Sequence, residues 1–147
     1  PVSYRYSGLG QGFDRYTGPG ARSKRDSAET LERLVKWLPE FEDAPLFLWM
    51  HLYDAHGPYD PPAAYRHLYY PEDRDPYAEV EAEAELRVPR WDRELKDPDF
   101  AGALYRSEIT YLDEVLAGLL ARPRFEDAVI AFTADHGETL ERGMEEP

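Results

Sequence analysis

Two of the chain's four histidines lie in one short stretch, HLYDAHGPY, residues 51–59; a third, His136, stands beside Asp135 in TADHGE, residues 133–138. An adjacent carboxylate and imidazole are suitable ligands for a divalent cation. Adjacent side chains on a strand point to opposite faces, so Asp135 and His136 can serve one centre only where the chain has turned into a loop. Gly137 offers freedom for that turn, and Thr133 can support it by hydrogen bonding. The other reading of these residues is a turn or helix cap with His136 on the surface.

The first stretch offers different chemistry. Asp54 and His56 are two residues apart, and Gly57-Pro58 turns the chain directly after them. His56 can donate a hydrogen bond to an anionic oxygen or protonate a leaving group. Asp54 can orient the loop, and Tyr59 and Tyr65 can wall a pocket. The alternative is a proline-stiffened loop whose polar groups satisfy its own backbone. His51, at the end of an apolar run, reads as structural.

Each cluster follows a run suited to a buried strand. PLFLWMHL (45–52) is short, apolar and bounded by turn signals, and DAVIAFTA (127–134) is rich in β-formers. Helical spacing of Ala28, Leu31, Leu34, Val35 and Leu38 predicts an amphipathic helix over 27–38, with Asp26 and Glu29 as a capping box and Pro39 closing it. Leu104, Ile109, Leu112, Val115, Leu116, Leu119 and Leu120 predict a second helix over about 101–121, ended by Pro123. Residues 1–25 read as irregular. Residues 57–100 are punctuated by proline; their acidic part, 71–99, reads as a solvated surface excursion with one short helix in YAEVEAEAELRVPR.

Helix, strand, excursion, helix, strand predicts an α/β fold: a mainly parallel sheet with flanking helices. Ligands bind beyond the carboxyl ends of such strands. Neighbouring parallel strands would therefore bring YDAHGPY and DHGE to one pocket.

Bulk composition sets the limits. A chain of 147 residues with 42% hydrophobic and 14% aromatic content suits one globular domain. A net charge of −13 argues against nucleic acid as a partner, because phosphate contacts need Lys and Arg. The absence of cysteine excludes disulfides, zinc-thiolate sites and a cysteine nucleophile within these residues. No apolar run approaches the ~18 residues a membrane span needs.

These motifs resemble the sulfatase family of the alkaline-phosphatase-like superfamily. PLFLWMHLYDAHGPYDPPAAY is similar to that family's aromatic-rich strand followed by D-P-H-x-P-Y-x-P-P-x-x-Y, with Ala55 where proline is common. YRSEITYLDEVLAGLL resembles the helix that follows, FEDAVIAFTADHGETL the strand and metal motif, and GLGQGFDRY (8–16) a segment that precedes both. The order is the family's, over nearly the whole chain.

The resemblance implies a partial alkaline-phosphatase-like fold and metal-dependent hydrolysis of a sulfuric ester, small-molecule or glycan. A phosphodiesterase, phosphonate hydrolase or phosphoethanolamine transferase of the same superfamily is the related alternative. A non-catalytic sulfatase-like protein, binding a partner through the acidic excursion, is the alternative of another class. By motif, Asp135 and His136 correspond to metal ligands. His56 corresponds to a catalytic substrate-anion contact, with Asp54 and Tyr59 on the substrate side of the same loop. One divalent ion is implied: calcium, with manganese or zinc as alternatives. The family's C/S-x-P-x-R motif, whose Cys or Ser becomes the formylglycine nucleophile, has no counterpart here, nor do its upstream paired aspartates. Arg142 stands where histidine is common. The expectation is a fragment of one catalytic domain, carrying part of an active site and inactive by itself.

Overall fold

The computed structural model describes residues 8–19, 24–78 and 91–138. The chain divides into two compact units at Asp54.

The first unit is built on helix α1, Ser27–Trp37. Asp26 caps it: its carboxylate accepts from the backbone N–H groups of Ala28 (2.8 Å) and Glu29 (3.3 Å), which satisfies donors that a helix start leaves without intrahelical partners. Glu29 pairs forward with Arg33 at 3.1 Å, and Glu32 with Lys36 at 2.7 Å. Glutamate four residues ahead of a cation is the favourable order for such pairs. A 3-10 turn, Leu38–Phe41, follows directly, with Pro39 in its first turn. Ahead of α1, Arg15 reaches Glu40 through its Nε at 2.9 Å. Gly8 and Gly12 take positive φ, 68° and 85°, in the turn that carries Gln11, a conformation that favours glycine.

The second unit is organised by helix α2, Pro98–Leu120. Its buried face in the N-terminal half is Phe100, Ala101, Ala103, Leu104, Ser107 and Glu108, the i, i+3, i+4 stripe of a helix against a core. Tyr59, Tyr70 and Leu95 complete that core. Residues 59–70 are bonded along the helix. The Asp60 N–H donates to Glu108 (2.7 Å), Tyr69 and Thr110 share a hydroxyl–hydroxyl bond (2.7 Å), and the Tyr65 hydroxyl donates to Glu114 (2.6 Å). Ring pairs Tyr65–Tyr111 and Tyr70–Phe100 add edge contacts at 5.2 and 4.8 Å between centroids, a geometry favoured by the aromatic quadrupole.

The helix begins ahead of residue 101, because Asp97 and Pro98 form its N-cap and first position. Proline is suited to that position, since the N–H it lacks has no intrahelical partner there. The chain then leaves α2 at Ala121 and makes a 3-10 turn over Pro123–Phe125. Within the excursion, Leu95 is buried in the core; the short helix expected in YAEVEAEAELRVPR falls mostly on residues 79–90, outside the described residues.

The expected parallel sheet is not present among the described residues. Residues 45–53 and 128–134 run without forming a strand or bridge. Phe47 (77% exposed), Val129 (101%) and Phe132 (78%) show their apolar side chains to solvent. A parallel strand needs neighbours for its backbone groups and cover on both faces. The described residues supply neither to these two runs, so apolar, β-forming composition alone does not make them strands. No described helix is long and apolar enough to cross a membrane.

Candidate functional site

The loop after Asp54 is fixed from several sides. The Gly57-Pro58 bond is cis. A Cβ on Gly57 would lie 3.2 Å from the Trp91 indole nitrogen, so the ring and the loop backbone are in close approach. Tyr59 is buried, with Trp91 edge-on at 5.4 Å and Tyr105 tilted against it at 5.5 Å. The Glu138 carboxylate bears on the Tyr59 hydroxyl electrostatically. Burial, and after it that carboxylate's charge, push the phenol well above the ordinary tyrosine range. Both act against ionisation, so Tyr59 is a neutral donor.

Tyr59 belongs to HLYDAHGPY and Glu138 to TADHGE, so the charge of the acidic motif is felt at the loop tyrosine. Tyr59 is part of the core, with its ring against Trp91 and Tyr105.

His56 is exposed, and its Nδ1 faces the Gly57 carbonyl at 2.6 Å. A carbonyl only accepts, so Nδ1 carries the ring proton and Nε2 the lone pair of the neutral ring. His136 repeats the arrangement, with Nδ1 on the Gly137 carbonyl at 2.7 Å. Its backbone N–H donates to Asp135 at 3.0 Å. The Gly137 carbonyl, then the charges of Asp135 and Glu138, raise the His136 pKa above the ordinary histidine value. Gly137 stays outside the left-handed region, and a Cβ there would meet nothing within 4 Å; the turn does not depend on glycine.

Asp135 and His136 fit one edge of a cation site. His136 Nε2 and Asp135 Oδ2 are 3.9 Å apart, within reach of two ligands each ~2.0–2.5 Å from one ion. Both side chains are exposed. Among the described residues no group of three or more His, Asp or Glu side chains is arranged to hold a metal. The pair is thus a two-donor edge.

Asp54 lies in the other unit and is buried. Its carboxylate accepts from the Ser27 N–H at 3.1 Å and from the Ser27 hydroxyl. Ser27 is the first residue of α1, where a carboxylate meets both a spare backbone donor and the positive end of the helix dipole. His51 is exposed, 6.5 Å from the Tyr53 ring.

Three residues without an assigned role in the sequence reading take part in this arrangement. Glu138 was visible in its motif, but nothing local says that its charge bears on Tyr59. Glu108 had a signal: it lies four residues after Leu104 and four before Leu112, a carboxylate on an apolar stripe. Trp91 returns from the excursion and had none.

A family model described as Sulfatase matches residues 4–146. The chain belongs to the sulfatase family, a hydrolase family of the alkaline-phosphatase-like superfamily whose members act on sulfate esters. No curated protein and no solved structure matches it.

Proposed function

We propose that these residues form the anion-binding loop and one metal-ligand edge of a metal-dependent sulfuric ester hydrolase. The observation that supports this reading is the Asp135-His136 pair, whose Oδ2 and Nε2 lie 3.9 Å apart within the residues that the family matches. The family supplies the substrate class.

His56 is the residue that meets the ester. With Nδ1 committed to the Gly57 carbonyl, Nε2 can donate only in the imidazolium form. That form carries positive charge to an anionic sulfuryl oxygen and holds a proton that the departing oxygen can take. Asp135 and His136 would hold the divalent ion, calcium in preference to manganese or zinc, since a carboxylate at the site suits a hard cation. The ion, when bound, supplies Lewis-acid stabilisation of negative charge on the ester oxygens. Tyr59, packed on Trp91 and Tyr105, holds the histidine loop. Asp54 holds the start of α1 through Ser27.

The test uses the full-length protein, with an aryl sulfate and a phosphate diester as substrates and bound metal measured by elemental analysis. Hydrolysis of the sulfate in preference to the phosphate is expected. His56→Ala lowers kcat/KM by ~100-fold or more, the range of acid–base groups. Asp135→Ala loses bound divalent metal. Equal metal occupancy in Asp135→Ala and wild type would overturn the ligand assignment; preference for the diester would transfer the site to phosphoryl chemistry.

A further inference from the structure

We infer that Glu108 is a positioning residue for His56. Its carboxylate, on α2 and almost wholly buried, accepts the Asp60 N–H at 2.7 Å. Forty-eight residues separate the partners, so the bond closes the loop onto the helix instead of stabilising a local turn. A buried carboxylate is costly unless it is hydrogen-bonded, and apart from Ser107 the buried face it interrupts in this half of the helix is apolar. The carboxylate is therefore placed where it loses hydration and gains a backbone donor of the histidine loop.

The geometry runs stepwise from Glu108 to the imidazole. Asp60 is held by Glu108. Tyr59, next to it, is packed on Tyr105, one turn before Glu108 on the same helix, and on Trp91. Gly57 is in close approach to Trp91. The His56 ring takes its orientation from the Gly57 carbonyl through Nδ1. Fixing residues 57–60 therefore fixes the direction in which Nε2 presents its proton. Displacement of a reacting group by ~1 Å can cost ~100-fold in rate.

This inference rests on the reading of His56 as the ester contact, and the experiment separates the two. Glu108→Ala, Glu108→Gln, His56→Ala and the double variant His56→Ala/Glu108→Ala are compared in the full-length protein with an aryl sulfate, at a temperature where each is folded by circular dichroism. Glu108→Ala is expected to lower kcat ~10- to 100-fold with bound metal unchanged. Glu108→Gln keeps an acceptor oxygen for the Asp60 N–H and stays within ~3-fold of wild type. In the His56→Ala background the alanine change costs less than ~2-fold, because residues acting as one unit are not additive. Hydrogen exchange at the Asp60 amide accelerates in Glu108→Ala and not in Glu108→Gln.

The inference is overturned if Glu108→Ala keeps the wild-type kcat, if glutamine fails as far as alanine, or if the two losses multiply in the double variant. Should Glu108→Ala not fold, the wild-type Asp60 amide decides: slow exchange supports the bond, and exchange at the rate of an open loop overturns it. Wild-type protein inert towards the ester would instead remove the reading of His56, and with it the role of Glu108 in catalysis, while exchange at Asp60 still reports on the bond.

Discussion

Asp54 and His56 stand two residues apart and differ in what surrounds them. The Asp54 carboxylate is buried against Ser27, whereas His56 is exposed. Asp54→Ala is expected to destabilise by ~1–3 kcal/mol, the cost of leaving a buried donor without its acceptor, read as a lower urea midpoint at unchanged slope. Asp54→Asn retains one acceptor and loses less. A substrate contact would show the reverse pattern: lower kcat/KM with the midpoint unmoved. Tyr70 gives a pH-dependent counterpart. Burial, then its bond to Asp97 (2.8 Å) and that carboxylate's charge, raise its hydroxyl to about 12. A group with a raised folded pKa contributes stability that is complete below its unfolded value, ~10 for tyrosine, and is lost as pH rises through the folded value. Thermal midpoints of the wild type should therefore fall between about pH 10 and 12, and those of Tyr70→Phe should fall less steeply over that window. Parallel curves would exclude Tyr70 as the source.

At the scale of elements, α2 and its cap carry the second unit. Asp97 is buried, accepts from the Asp99 N–H (3.0 Å) and the Tyr70 hydroxyl, and pairs with Arg74 at 2.6 Å. Arg74 also lies over the Tyr70 ring, 5.6 Å from its centroid. Asp97→Ala removes a cap, ~1 kcal/mol, and leaves the buried Tyr70 hydroxyl without its acceptor, ~1–3 kcal/mol. The half-exposed Arg74 adds little. A loss of ~2–4 kcal/mol by chemical denaturation is expected, against a few tenths for Asp99→Ala. These elements also separate what was legible from what was not. Both helices were readable, because Leu34 and Leu104 sit on apolar faces that repeat at helical spacing, and Asp26 stood as a cap before the first. The start of α2 was hidden because Asp97 and Pro98 lay inside a stretch whose prolines and acidic residues read as solvated. The runs 45–52 and 127–134 were misread as sheet strands because strand formation depends on partners, which composition does not encode. At the site, Asp135 and His136 were legible as neighbours in sequence, whereas the Asp60–Glu108 bond spans a distance no local pattern reports.

Over the whole molecule, two features oppose one another. Each unit shows an apolar run to solvent: Phe47 and Trp49 (58% exposed) in the first, Val129, Ile130 (58%) and Phe132 in the second. Exposed runs of this kind favour association between copies. The net charge of −13 opposes it, because like-charged copies repel at separations up to the Debye length. That length falls from ~30 Å at 0.01 M salt to ~8 Å at 0.15 M. The 147-residue chain should therefore remain monomeric in dilute buffer and associate as salt is raised, opposite to the behaviour of an assembly held by ion pairs. Light scattering coupled to gel filtration gives the measurement. Phe47→Ser and Phe132→Ser together should keep the chain monomeric across the range, because they remove the two most exposed phenylalanines without changing its charge. Association that weakens with salt, or that survives both substitutions, would mean that charged side chains and not these runs form the contact.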